Sequence, residues 1–562
     1  MDIVLGRSNR GVLLWQLDAN GQMVIEPQLV TSLEQEVARR EAGPMSPRWV
    51  WDDTSRWYPE LIRAGVRVRR CVDLRLSRAI IRRSPLTAET PMARAAFASW
   101  DQPTPEPRSP VGAPSAGTLF DWEPETADDP TVEFFEQLAA IEGATDPARL
   151  RLLLAAESAG SLIAAEMKFA GLPWRADLHE ALLTDTLGSR PRSGERPAKM
   201  QQILEVVRTA LGAPDLNPDS PTELLRALKL AGIEAASTRS WELQNIDHPA
   251  IAPLLDYKKR ARILSSNGWN WLETNVISGR FHPDYVPGGV VTGRWASKGG
   301  GGALQLPKQV RGAVVADPGW VLVVADAAQL EPRILSALAS DRAMAEAGQA
   351  GDLYAGIVAS GAVDTREQAK LAMLGAMYGA TSGEAGRLLP RLAKSFPRAI
   401  ALVEEAARAG ERGEVVSTRL GRGSPRGAVP GWDETSTVAE KERVRAQAKS
   451  WGRFTRNFVV QGSAAEWALC WMAGVRQRVF ELGDSAPSRA GANAGASWLR
   501  NSPHLVFFLH DEVVVHCPLD LAASVETALR AAAVDAGRLL FGQLPVSFPI
   551  SVAAVASYAD AK

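Results

Sequence analysis

Six consecutive apolar residues, Trp320-Val321-Leu322-Val323-Val324-Ala325, lead directly into Asp326. An uninterrupted apolar run of this length predicts a buried strand. A strand buried on both faces requires the rest of the chain to cover both sides of its sheet. A carboxylate at the end of such a strand is aimed into a cleft without burying its charge in the sheet. Taken alone, an Asp in this place is more often a helix N-cap. A second carboxylate, Asp511, lies in His510-Asp511-Glu512 between the apolar stretches 505–509 and 513–517, which predicts a hairpin with an acidic tip. Such a tip alone is ordinary turn chemistry. Brought side by side, two strand-borne carboxylates can hold a pair of magnesium ions about 3.5–4 Å apart for in-line phosphoryl transfer, without His or Cys ligands.

At 562 residues the chain is too long for one hydrophobic core, so several domains or one multi-subdomain enzyme are expected. Apolar residues at 46% and charged residues at 23% exclude a chain dominated by disorder. No apolar run approaches the roughly 20 residues needed to cross a bilayer. The opening Met1-Asp2-Ile3-Val4-Leu5-Gly6-Arg7 lacks a signal-peptide pattern, so a cytoplasmic protein without a membrane partner is expected. Cys71, Cys470 and Cys517 lie far apart in apolar settings, which predicts buried thiols rather than disulfides or a zinc site. A net charge of -1 excludes binding polyanions by bulk charge, so nucleic-acid contacts must be local. Two basic patches qualify: Lys258-Lys259-Arg260-Ala261-Arg262, and Arg387, Arg391, Lys394 and Arg398 at helix-like spacing. Each alone is more often a solvated helix face.

Residues 1–100 read as a small α/β unit, and 101–130, rich in Pro, Ser, Glu and Asp, as a linker. Helical periodicity follows over 152–169, 221–230 and 250–271, then strands and Gly-rich loops from Gly279, then helix again over 341–412. The stretch 484–503 reads as a loose surface insertion. Arg366, Lys370, Leu374 and Tyr378 recur every four residues and so share one slowly rotating helix face. Two cations and an aromatic on one face suit a nucleoside triphosphate, although an amphipathic helix with solvated cations is the commoner meaning.

The order of these features decides between the readings. A strand ending in Asp326 with Gln329 and Glu331 behind it, the Arg366–Tyr378 helix followed by Gly379, then Gln461-Gly462-Ser463-Ala464-Ala465-Glu466, then His510-Asp511-Glu512 resembles the family A DNA polymerases, the DNA polymerase I group. The resemblance covers about residues 150–562 and is strongest over 291–518. It implies an α/β multidomain, right-hand fold over 131–562, with thumb about 150–278, palm about 279–340 and 413–562, and fingers about 341–412. A shortened, degenerate 3′-5′ exonuclease-like domain over 1–100 precedes it, and no 5′-nuclease domain is expected.

The resemblance implies metal ligation by Asp326, Asp511 and the carbonyl of Ala327, with two Mg2+ ions that Mn2+ can replace. Catalytic roles fall to Asp326, Asp511, Glu512 as an auxiliary acid, and Lys370 at the departing pyrophosphate. Nucleotide contacts fall to Arg366, Lys370, Tyr378, Gln329, Leu374 and Glu331, the last crowding the sugar 2′ position and so favouring deoxynucleotides. DNA contacts fall to Arg294, Gln305, Asn457, Gln461 and His510 along the primer-template, and to Lys258, Lys259 and Arg262 on the thumb. The expected partners are primer-template DNA and deoxynucleoside triphosphates; the chain is expected to act as a monomer beside a bacterial nucleoid.

Departures from the family pattern are Leu374 where an aromatic is usual, Glu367 for a second Arg, Tyr354 for a His, and the glycine run 299–302. A single-subunit RNA polymerase is the nearest rival and is disfavoured by Glu331; a catalytically altered DNA-binding paralogue is disfavoured by the intact Asp326, Asp511, Arg366 and Lys370. The exonuclease likeness rests on residues 49–83. Its early strand, taken as 12–18, lacks an Asp-x-Glu pair, Tyr58 stands where a ligand Asp belongs, and Asp52, Asp53, Asp73, Asp128 and Asp129 read as surface charges of the wrong spacing. No proofreading is therefore expected, against the alternative of residual exonuclease activity.

Overall fold

The structure is a computed structural model that describes residues 1–8, 10–18, 21–102, 129–192, 194–298, 306–380, 383–428, 437–484 and 498–561. These group into two compact units: Met1–Ala170, Asp284–Ala296 and Val323–Ala553 in the first, and Gly171–Pro283, Ser297–Leu322 and Ala554–Lys562 in the second. Among the described residues no helix is long and apolar enough to cross a membrane.

The first unit contains a five-stranded N-terminal sheet with Asp2–Ser8 at its centre. That strand pairs antiparallel with Gly11–Leu17 and parallel with Arg48–Trp51, which in turn pairs parallel with Cys71–Asp73. The earliest strand is thus Asp2–Ser8, ten residues ahead of the one expected over 12–18. Short apolar runs interrupted by Gly and Arg hide this strand from periodicity. Helices Thr54–Arg63 and Leu74–Ile81 are capped by Asp53 and Asp73, whose carboxylates accept the orphan N–H groups of Ser55 and Leu76. Asp73 is no surface charge: it is buried and also accepts the Thr54 N–H at 2.8 Å. Burial, with the Asp53 charge next in weight, pushes its carboxyl up to about 7.

Trp49, Trp51, Trp57, Tyr58, Leu61 and Ile62 form one core with Leu162 of the Pro147–Ala170 helix. This core lies within the first compact unit, in which residues 1–170 group with 284–296 and 323–553. Tyr58 donates to Glu166, and Arg476 of the long helix Val438–Asp484 binds the same carboxylate through Nε at 2.8 Å and Nη2 at 2.7 Å. All three cysteines are buried, as their apolar settings predict; desolvation pushes the Cys470 thiol up to about 12.

A second sheet runs His504–Leu509, Glu512–Pro518, Trp320–Ala327, Ile550–Val555, with Trp320–Ala327 and Glu512–Pro518 in its interior. The Val438–Asp484 helix packs against Pro397–Glu411 and Ala522–Phe541 and buries Trp467 and Trp471.

The second unit is mainly helical, with Ala176–Leu187, Ala198–Leu211, Pro221–Leu230 and Ile251–Asn267. The helix expected over 250–271 breaks at Gly268 and restarts as Trp269–Asn275. A Cβ at Gly268 would lie 2.2 Å from the Leu264 carbonyl oxygen, so only glycine fits this break. His179 is enclosed by Trp174 and Trp271 and faces the Asn267 carbonyl oxygen through Nε2 at 2.9 Å.

Candidate active site

The strand carrying Asp326 runs one residue further than expected, through Ala327, and Gln329 rather than an Asp is the N-cap of the following helix, Leu330–Ala339. Leu509 pairs with Glu512, so the hairpin turn is His510-Asp511 alone. Glu512 is therefore not at the tip: it opens the second strand and is buried. The Ala327 N–H donates to the Asp511 carbonyl at 3.1 Å, which joins the Asp326 strand to the turn bearing Asp511. Asp326 and Asp511 are both half-buried.

Two non-glycine residues beside these carboxylates have left-handed backbone, Gln329 at φ 52° and His510 at φ 59°. Such conformations cost on the order of 1–3 kcal/mol each and persist where surrounding contacts impose them, often at functional sites. At Gln329 the contacts are plain. Its side-chain amide donates to Asp352 at 2.8 Å and accepts from the Leu353 N–H at 2.9 Å.

A cleft of about 190 Å³ opens here, lined among others by Arg294, Glu331, Tyr354, Leu374, His510 and Asp511. Gln329 also lines it, whereas Asp326, Arg366, Lys370, Tyr378, Asn457 and Gln461 do not. Glu331 lies between two expected partners of DNA and nucleotide: Arg294 forms an ion pair with one oxygen, and the Tyr378 hydroxyl donates to the other at 2.9 Å. Burial and then the Glu331 charge raise the Tyr378 pKa. Partial desolvation first, and the Arg294 cation second, hold the His510 imidazole below its usual range.

The Arg366–Tyr378 helix forms as its spacing predicts, capped by Thr365 and ended by left-handed Gly379. Arg366 donates to Asp352 at 2.7 Å and lies 5.6 Å over the Tyr354 ring, while Lys370 is exposed. Desolvation works to raise the Asp352 carboxyl, but the Arg366 hydrogen bond leads the effects that outweigh it, and its pKa is lowered. Gln461 meets Thr292, Oε1 to Oγ1 3.1 Å. Gln305 and the glycine run 299–302 lie outside the described residues. In the second unit Lys259 and Arg262 are exposed, whereas Lys258 is half-buried and its pKa is lowered by desolvation. Arg391 is paired with Asp364, and Arg398 begins another helix and reaches the Ser340 carbonyl, so the second basic patch is not one continuous face.

Three residues escaped the sequence reading. Asp352 holds both Gln329 and Arg366; its one signal is the Asp-before-apolar pattern of an N-cap, which it also is. Arg333, buried, donates to the carbonyls of Ala328, Gly348 and Ser547 and fixes the base of the Gln329 turn. Arg422 pairs with buried Glu157 and occupies the space where a Cβ at Gly293 would stand, 2.6 Å from its Nε, thereby seating the loop that carries Arg294. Long-range pairs of this kind leave no local pattern.

The fold is that of a known class of structure: the chain superposes on "POL domain of Pol1 from M. smegmatis complex with DNA primer-template and dNTP" with a TM-score of 0.65 at 19% identity, covering 100% of this chain and 95% of that one. The sequence profile of DNA polymerase family A matches residues 191–559, and the chain belongs to that family. It is 26% identical over 403 residues to the thermostable DNA polymerase I of Thermus thermophilus, covering 64% of this chain and 43% of the relative. To the DNA polymerase I of Chloroflexus aurantiacus it is 26% identical over 361 residues, covering 59% and 34%. The chain thus matches less than half the length of these relatives.

Proposed function

We propose that this chain is a template-directed DNA polymerase that extends a primer 3′ end with deoxynucleoside triphosphates, acting as a monomer. The observation that carries the reading is the Ala327–Asp511 backbone bond, which brings two carboxylate-bearing segments together beside a cleft containing Arg294 and Glu331. Residues 150–278 would serve as thumb, 279–340 and 413–562 as palm, and 341–412 as fingers.

The donor set fits hard divalent cations: the Asp326 and Asp511 carboxylates and the Ala327 carbonyl are all oxygen ligands, which suits Mg2+ and also Mn2+. When bound, such ions lower the pKa of an attacking hydroxyl and neutralise charge on the leaving phosphates. Lys370, exposed on the Arg366–Tyr378 helix, carries a cation to the departing pyrophosphate and can donate a proton there. Arg366 exchanges Asp352 for a phosphate. Tyr378 and Leu374 frame the incoming base, and Glu331 crowds the sugar 2′ position. Arg294, Gln305, Asn457, Gln461 and His510 follow the primer-template, while Lys258, Lys259 and Arg262 grip its phosphates.

The N-terminal region acts as a support without proofreading. Tyr58, which occupies a ligand position of the exonuclease pattern, is buried with its hydroxyl on Glu166, and Asp52, Asp53 and Asp73 serve as ion-pair partner and helix caps. The test is primer extension on a gapped template with deoxy- or ribonucleotides. Templated extension with deoxynucleotides is expected; its absence, or equal use of ribonucleotides, contradicts the reading.

A further inference from the structure

In the first unit the turn 416–424 closes on itself: the Thr418 N–H donates to the Arg422 carbonyl at 3.0 Å and the Ser424 N–H to the Val416 carbonyl at 2.9 Å. It touches two separate segments, the loop of Arg294 and the stretch of the Val438–Asp484 helix that carries Gln461. On one side Arg422 pairs with buried Glu157 and fills the space against Gly293, the neighbour of Arg294. On the other the Thr418 hydroxyl donates to buried Glu466, whose second oxygen accepts the Leu420 N–H at 2.9 Å. The Ser463 hydroxyl accepts the Arg419 N–H at 2.8 Å, and the Thr418 methyl occupies the place where a Cβ at Gly462 would stand. The same Thr418 hydroxyl accepts the Arg422 N–H at 2.9 Å, so one oxygen joins the two anchorages. Thr292 Oγ1 and Gln461 Oε1, 3.1 Å apart, close the ring. None of Thr418, Arg422, Glu157 and Glu466 lines the cleft.

We infer that Thr418, Arg422, Glu157 and Glu466 are positioning residues that hold Arg294 and Gln461 at one fixed separation, and thereby set the preference for a correctly paired primer terminus. The inference rests on the proposed reading of Arg294 and Gln461 as contacts along the primer-template, and adds the device that keeps them in register. Minor-groove acceptors recur in every correctly formed base pair, and a mismatch displaces them. Two donors sense that displacement only while the distance between them is fixed, because donors that move independently each follow a shifted acceptor. The ring supplies that rigidity: its carboxylates are buried, and a buried polar group that loses its partner keeps its desolvation cost, so each bond resists being drawn open.

The test uses the full chain and primers whose 3′ terminus is matched or mismatched on one template, and reads the ratio of kcat/KM for the two extensions. Thr418→Val keeps the shape and removes the shared hydroxyl; Thr418→Ser keeps the hydroxyl. Glu157→Met combined with Arg422→Met removes the other anchorage without leaving either charge buried alone, so the inference can be decided even if Thr418→Val fails to fold. Thr418→Val and the double variant should still extend the matched primer, with the matched-over-mismatched ratio lowered about twofold to thirtyfold, the range for residues that act on a site through others. Thr418→Ser should restore the wild-type ratio, which a merely structural loss of the methyl would not. A wild type that extends no primer overturns the functional reading and this inference with it. A wild type that extends normally while Thr418→Val and the double variant keep its ratio, or while Thr418→Ser loses as much as Thr418→Val, overturns this inference alone.

Discussion

The backbone N–H of Ala327 donates to the carbonyl of Asp511 across 3.1 Å, and this bond sets the spacing between the strand of Asp326 and the turn of the hairpin. Asp326 therefore stands on a strand and Asp511 in a tight turn bonded to that strand, which limits how far either can drift from the other. The adjacent left-handed residues, Gln329 and His510, turn the chain sharply away after one carboxylate and before the other.

Lys370 is exposed on a helix whose next inward neighbours, Ala369 and Met373, are buried. Its removal should leave the fold intact and, on the proposed reading, deprive a developing anion of one preorganised cation. Lys370→Ala is expected to slow single-turnover incorporation by about 10²–10³-fold at unchanged DNA affinity. A quench-flow rate equal to wild type would remove Lys370 from the mechanism.

Glu331 accepts from both Arg294 and Tyr378, so it ties the loop carrying Arg294 to the end of the Arg366–Tyr378 helix. Glu331→Ala frees both partners and, on the proposed reading, opens the space beside the sugar. Discrimination between deoxy- and ribonucleotides should fall by roughly tenfold to a hundredfold, the scale of one charge-assisted hydrogen bond. Competing incorporation of the two nucleotides measures it, and an unchanged ratio means that another residue guards the sugar.

His179 is fully enclosed, and burial lowers its pKa to about 4 from 6.5. The folded state thus holds it neutral, and protons bind the unfolded chain first. Its contribution is complete above about pH 6.5 and is lost as pH falls towards 4, by up to about 3 kcal/mol. Urea unfolding at pH 7.5 and pH 5 should show wild type losing more stability than His179→Phe. Equal losses would contradict the assignment.

Arg476 joins Glu166 and the carbonyls of Val68 and Arg69 inside the first unit. Arg476→Leu strands a buried carboxylate and should cost about 3–5 kcal/mol, whereas Glu166→Leu with Arg476→Leu should be considerably milder. Denaturant melts of the two variants provide the comparison. A double variant no more stable than the single one would show that the pair itself, rather than the orphaned charge, supplies the stability.

Local chemistry made much of this molecule legible. The apolar run before Asp326, the four-residue spacing from Arg366 to Tyr378 and the polar turn at Asp511 each express a rule that acts within a dozen residues. What stayed hidden is long-range. Asp2–Ser8 becomes a central strand only because Arg48–Trp51 pairs beside it. Glu512 is buried because the hairpin register places it opposite Leu509. Tyr58, Glu166 and Arg476, spread over more than 400 positions, meet through packing that no window of sequence contains.

The central claim is tested most directly by primer extension with Asp326→Asn and Asp511→Asn, each paired with a measurement of primer-template affinity. Asn preserves the shape of the side chain and removes only its charge. Extension should disappear while DNA affinity stays within a few-fold of wild type, because the phosphate grip belongs to other residues. Extension at an undiminished rate by either variant would contradict the account.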